Sequence, residues 1–161
     1  MFRVGLLAVL RSKSHGGLAI GVMVTASHNP EQDNGVKLVE PMGSMLAAQW
    51  ESYAIEMANT TDILKQVESI ISAENIDISI PAIVVVGRDT RPSGAALVQS
   101  LTDGINALGG KTQDFGLLST PQLHYLTRCI NTAGTPDAYG TPTTGGYYDK
   151  LSAAYIKIVV P

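Results

Sequence analysis

The sequence predicts a three-layer α/β/α sandwich with a mixed sheet between helices. Stretches with helical apolar spacing alternate with short apolar runs along the whole chain. One run, Ile83-Val84-Val85-Val86, is unbroken and rich in valine, as a central strand covered on both faces requires. Hydrophobic residues make up 45% of the chain and charged residues 16%, enough apolar material for the two interfaces such a sandwich buries.

Each element has its own signal. Phe2, Leu6, Leu7 and Leu10 recur at helical spacing, so residues 1–12 read as a helix packed on the sheet. The polar, glycine-containing stretch Ser12 to Gly17 is a turn, and Leu18 to Thr25 is a buried strand. A second strand, Val36 to Val39, follows Asn34-Gly35. Two helices come next, one presenting Trp50, Ala54 and Met57, the other Ile63, Leu64, Val67 and Ile71, with Asn59-Thr60-Thr61 between them. The Ile83 to Val86 strand is ended by Gly87, and Ser93 is placed to cap a helix running to Leu108 that Gly109-Gly110 terminates. Lys111 to Leu117 is the last strand. Ser119-Thr120-Pro121 opens a helix with Leu123, Leu126 and Ile130 inward. Residues 131–146, with two prolines and four glycines, form a loop before a final helix from Tyr147 to Val159 whose face is Tyr148, Leu151, Tyr155 and Ile158.

Bulk properties exclude several functions. The formal net charge of −3 and the scattered lysines and arginines give no field for a nucleic-acid backbone. The apolar run Gly5 to Leu10 is too short to span a bilayer, so no membrane partner is expected. Cys129 is the only cysteine, which rules out an internal disulfide and sites built on paired thiolates, and fits a reducing, cytoplasmic setting. At 161 residues the expectation is a single domain over 1–161.

Candidate chemistry gathers at two loops. Thr25-Ala26-Ser27-His28-Asn29-Pro30 follows a strand, so the Ser27 hydroxyl sits at the carboxyl end of a strand, where open α/β sheets place their ligands. His28 and Asn29 offer donors for phosphate oxygens, and Lys37 is the nearest downstream cation. Taken by composition alone, an ordinary turn and a solvated lysine explain these residues equally well. The second loop, Val86-Gly87-Arg88-Asp89-Thr90-Arg91-Pro92, leaves two readings of Arg88 and Arg91 open: bidentate phosphate ligands, or a self-contained ion pair with Asp89 that shapes its own turn.

The string Thr-Ala-Ser-His-Asn-Pro from Thr25, with Asn34-Gly35-Val36-Lys37 shortly after, resembles the signature of the α-D-phosphohexomutases. The Gly87-Arg88-Asp89 string resembles a second motif of that family. Here it follows the serine loop, an order that resembles the branch acting on N-acetylglucosamine phosphates.

The resemblance implies a serine, Ser27, that carries a phosphoryl group to a sugar monophosphate and takes one back from a bisphosphate intermediate. It implies Lys37 as a proton carrier or phosphate neutraliser, and His28, Asn29, Arg88 and Arg91 as substrate or phosphate contacts. It further implies an N-terminally truncated first domain of a four-domain enzyme that interconverts N-acetylglucosamine 6-phosphate and 1-phosphate. The remaining domains of the parent chain, the hexosamine phosphate and the bisphosphate would be its partners. Alternatives are a mutase for glucose or mannose phosphates and a non-catalytic phosphosugar-binding module. In the complete family enzymes Mg2+ meets the phosphoserine through an Asp-Gly-Asp-x-Asp-Arg loop. That string is absent from this sequence, so Ser27 is the one metal contact expected here, through its phosphate, and magnesium binding and turnover by this chain alone are expected to be poor.

Overall fold

A computed structural model describes residues 1–159 as a four-stranded sheet between two helical layers. In chain order the elements are α1 (Phe2–Ser14), β1 (Ile20–Thr25), β2 (Gly35–Val39), α2 (Ala48–Asn59), α3 (Ile63–Ala73), β3 (Ala82–Arg88), α4 (Gly94–Ala107), β4 (Gly110–Leu117), α5 (Thr120–Thr132) and α6 (Thr144–Val159). The strands lie in the order β2-β1-β3-β4. β1 pairs antiparallel with β2, and β3 runs parallel to both β1 and β4, so the sheet is mixed as expected.

Strand periodicity sorts the side chains into two cores. Ile20, Val22 and Val24 of β1 and Val84 and Val86 of β3 face α1 and α4, with Trp50, Met57, Val67 and Ile70 of α2 and α3 closing that layer. Met23, Val39 and Val85 point the other way, against Leu123 and Leu126 of α5. Val84, Val85 and Val86 are all fully buried, which is why the run carries no polar alternation. α1 and α4 approach closely enough that a Cβ on Gly5 would stand 2.3 Å from the Leu101 carbonyl oxygen, a contact only glycine permits.

Several boundaries and faces differ from the sequence reading, each for a physical reason. α1 runs on to Ser14, because the Ser12 hydroxyl is buried and donates to the Leu18 carbonyl. Phe2 stands at the rim, 38% exposed. β3 continues through Gly87 to Arg88; Gly87 is needed for space, since a Cβ there would meet Leu118 Cδ1 at 2.8 Å. In α3 the buried residues are Val67 and Ile70, while Leu64 is exposed. Ser93 does not cap α4 with its side chain: its backbone is helical and its hydroxyl accepts from Asn34 Nδ2 at 3.1 Å. α5 does open at Ser119-Thr120-Pro121, where Ser119 forms a capping box with Gln122. The last loop is shorter than 131–146, since α5 extends to Thr132 and α6 starts at Thr144. The α6 face formed by Tyr148, Leu151, Tyr155 and Ile158 is exposed. The inner side of that helix is Tyr147, packed on Tyr125 with ring centroids 5.6 Å apart.

One ionic cluster ties the first helical layer to the sheet. Glu40, just after β2, accepts from Arg11 Nε and Nη2 and from the Ala47 amide, with His15 Nε2 at 3.0 Å. Arg11 also lies 4.6 Å over the Trp50 ring. Burial pushes the Glu40 carboxyl up, but these donors together hold it below its ordinary value of 4.5. A carboxylate with a lowered folded pKa stabilises the fold above its ordinary pKa, and that contribution is lost as the pH falls through the folded value. Glu40→Gln is therefore expected to lower the stability at pH 7 by about 1.5–3 kcal/mol, several degrees in Tm. In thermal melts the gap between variant and parent should close as the pH drops below 4.5.

Candidate active site

Because β1 and β3 are parallel neighbours with Val24 opposite Arg88, the loops that follow them leave the same edge of the sheet side by side. The Asp89 amide donates to the Val24 carbonyl at 3.1 Å, continuing the ladder one residue past the strands. The Asp89 carboxylate then becomes a hub. Oδ2 accepts from the Thr25 hydroxyl at 2.7 Å, from the Ala26 amide at 3.3 Å and from Arg91 Nη1; Oδ1 accepts from the Arg91 amide at 3.0 Å.

Thr25 relays this grip to the serine. Its oxygen donates to Asp89 and accepts from the Ser27 amide at 2.9 Å. Ser27 has φ +59°, the left-handed region that costs a non-glycine residue about 1–3 kcal/mol and persists where surrounding contacts over-determine it. Those contacts are present: the Asn29 amide closes a turn on the Ala26 carbonyl at 2.9 Å, and Arg91 Nη2 donates to the carbonyls of Ser27, at 3.1 Å, and of Asn29. The backbone of the loop is thus held from behind by one arginine while the Ser27 side chain faces solvent.

The loop is also anchored at its far end. The Glu31 carboxylate accepts from the Ser93 amide at 2.7 Å and Asn34 holds the Ser93 hydroxyl, so the segment after Ser27 sits on the N-terminus of α4, where a carboxylate is favoured by the helix dipole. Thr25, Glu31 and Asn34 went unnoticed in the sequence as site residues. Thr25 had a signal, a hydroxyl two residues before Ser27, which is the spacing of a Ser/Thr turn. Glu31 and Asn34 had none, because Ser93, the residue they meet, is distant in the chain.

Of the residues singled out above, Ser27, Asn29 and Arg91 are brought into direct contact, Asn29 through its carbonyl oxygen. Arg88 lies beside them with one weak contact, Nη1 to the Asp89 carbonyl at 3.4 Å, and faces an open groove of about 560 Å³ that runs past Ser119 to Tyr148. The His28 side chain is exposed. Lys37 lies one strand over on β2, opposite Met23, half-buried and in no ion pair among the described residues. Burial pushes the Asp89 carboxyl up, but the Arg91 amide, the Thr25 hydroxyl and the Arg91 guanidinium outweigh it and hold Asp89 below its ordinary 3.8. Asp89 is thus an anion at neutral pH with both oxygens already engaged, Oδ2 by three donors and Oδ1 by the Arg91 amide. Among the described residues no group of three or more histidines, cysteines or carboxylates could hold a metal. The residues present do not fit a magnesium site by themselves.

The family model for the phosphoglucomutase/phosphomannomutase α/β/α domain I matches residues 8–65 and 56–135. This chain belongs to that family. It is 54% identical over 160 residues to human phosphoacetylglucosamine mutase, a match covering 98% of this chain and 29% of the relative. Among solved structures, Aspergillus fumigatus N-acetylphosphoglucosamine mutase in complex with GlcNAc-6P and magnesium superposes with a TM-score of 0.91 at 48% identity, covering 99% of this chain and 30% of that one. A serine-to-alanine variant of the same enzyme in complex with glucose 1,6-bisphosphate gives 0.92 at 49% identity, over 96% of this chain and 29% of that one. The chain therefore spans less than a third of the length of the relatives it matches.

The hub makes the loop's order depend on one carboxylate. Asp89→Ala removes the acceptor for four donors, and the Ser27 and Ala26 amides are expected to exchange with solvent at least about tenfold faster, after correction for intrinsic rates. Because the Asp89 pKa is lowered, its stabilisation is complete above 3.8 and is lost as the pH falls through the lower folded value; the unmodified chain should show the same loosening only there.

Proposed function

We propose that this chain is the first domain of a phosphosugar mutase and that Ser27 is its phosphoryl carrier. One observation carries the reading: a serine at φ +59° with its hydroxyl in solvent and its backbone clamped by Asp89 and Arg91, at the shared carboxyl edge of β1 and β3. A nucleophile must be aimed, and here the loop rather than the side chain's own contacts does the aiming.

In the proposed cycle phosphoserine 27 gives its phosphoryl group to the free hydroxyl of an N-acetylglucosamine monophosphate. The bond from Ser27 Oγ to phosphorus breaks, a bond from the sugar oxygen to phosphorus forms, and the proton of the sugar hydroxyl ends on Ser27 Oγ. The bisphosphate then returns its other phosphoryl group to Ser27, which converts the 6-phosphate to the 1-phosphate, a precursor for an activated nucleotide sugar. Transfer of this kind needs positioning and charge stabilisation more than covalent chemistry. Arg91 directs Nη1 to Asp89 and Nη2 to the loop carbonyls, so it acts by positioning; Arg88, with a single weak contact, is the guanidinium free to meet phosphate. Lys37, with no counter-ion among the described residues, is suited to offset the phosphoserine's charge of about −1.5 to −2 or to move the hydroxyl proton. His28 and Asn29 offer side-chain donors at the exposed face of the loop.

Magnesium, present with GlcNAc-6P in the Aspergillus structure, would supply further charge neutralisation at the phosphoserine, with carboxylates from outside this chain. No described helix is long and apolar enough to cross a membrane, and together with the single buried cysteine this supports a cytoplasmic enzyme. The acetylated substrate is preferred over glucose or mannose phosphates because the closely similar relative acts under that name.

The test uses the full-length parent protein. Intact-protein and peptide mass spectrometry should place one phosphate on Ser27, and Ser27→Ala should lower the rate on N-acetylglucosamine 6-phosphate by on the order of 10³-fold or more. Phosphate on another residue with an unchanged rate in Ser27→Ala would overturn the proposal, and equal rates on acetylated and plain hexose phosphates would overturn the choice of sugar.

A further inference from the structure

On the opposite helical layer, away from the serine loop, a cleft of about 540 Å³ opens between α5, α6 and the loop that joins them. It lies within the size range of small-molecule sites. Its floor is a fixed tyrosine. The Tyr139 amide donates to the buried Thr132 hydroxyl at 3.0 Å, and the Tyr139 ring leans on Tyr125 with centroids 5.8 Å apart.

Two cations have been brought over that one ring. Arg128 Cζ lies 3.9 Å and Lys150 Nζ 3.8 Å from the Tyr139 centroid. Lys150 is held there by its own bond to the Tyr139 carbonyl at 2.7 Å. No carboxylate lines the cleft, neither cation is in an ion pair among the described residues, and Arg128 Nε is buried with no hydrogen-bond partner. Two positive charges at most about 8 Å apart repel, and a buried N–H without an acceptor is costly. An anion in the cleft offsets that repulsion through the Lys150 ammonium and the guanidinium's outer edge. Most of the remaining wall is apolar, with Tyr125, Tyr147 and Leu151 presenting ring and methyl surface beside Thr120 and His124.

We infer that this cleft is a binding site for a phosphate monoester of a planar ring, its phosphate between Arg128 and Lys150 and its ring against the tyrosines. Two cations match a dianion, the guanidinium fork fits phosphate oxygens, and the aromatic walls fit a ring face. The site is independent of Ser27 and its proposed chemistry.

The probe is phenyl phosphate, titrated into the 161-residue chain and followed by amide chemical shifts, with inorganic phosphate and phenol in parallel. The shifts should fall on residues 121–128 and 147–154, and phenyl phosphate should bind at least tenfold tighter than either part alone. Arg128→Gln should weaken it at least tenfold. Ala154→Trp, which fills the cleft from its exposed rim and removes no charge, should do the same and decides the matter if Arg128→Gln fails to fold. Ser27→Ala should leave the shifts at residues 121–128 and 147–154 as they are. Shifts confined to residues 25–29, unaltered binding by a folded Ala154→Trp chain, or inorganic phosphate binding as tightly as phenyl phosphate would overturn the inference.

Discussion

The Asp89 carboxylate joins the ends of two parallel strands, and the geometry of the serine loop depends on it. It sits one residue beyond β3 and accepts from Thr25 and Ala26 at the end of β1 and from Arg91 on its own loop. Two of those residues then do a second job: Thr25 receives the Ser27 amide, and Arg91 reaches the carbonyls on either side of His28. A serine in the left-handed region is affordable in such a place because four contacts fix the backbone around it. The site is built from backbone polarity and one shared anion.

What brings Asp89 to Thr25 is the sheet. β1 and β3 must be adjacent, parallel and in a register that ends both at one edge, and that pairing is held by the valine-rich interior of β3 buried against helices on both sides. Glycines set the spacing. Gly21 in β1 leaves room for the Thr127 side chain of α5, where a Cβ would come within 2.5 Å, and Gly5 lets α1 lie against α4. The layers therefore fix the strand ends to within the tolerance a hydrogen-bond hub needs.

Much of this was legible in the sequence because it was local. The valine run, the helical periods of α1 and α5, the Gly109-Gly110 stop after α4, the Ser119-Thr120-Pro121 start of α5 and the serine loop all follow from spacings of a few residues. The features that escaped involve partners far apart in the chain. Ser93 looked like a cap until Asn34 and Glu31 arrived to engage it. The face of α6 carrying Tyr148, Leu151, Tyr155 and Ile158 has regular apolar spacing yet is more than half exposed, and the side that packs on α5 is Tyr147. The alternatives left open for Arg88 and Arg91 could not be separated from the motif, since both are arginines one turn apart; only the positions of the carbonyls and of Asp89 distinguish a positioning residue from a free guanidinium.

The most direct test of this account is a double-mutant cycle on Thr25 and Asp89, with Thr25→Val, Asp89→Ala and the pair compared in denaturant unfolding. If the Thr25 hydroxyl acts through Asp89, the two losses should fall short of additivity by about 1–2 kcal/mol. Losses that add to within about 0.3 kcal/mol would show the two side chains to be independent and would contradict the hub.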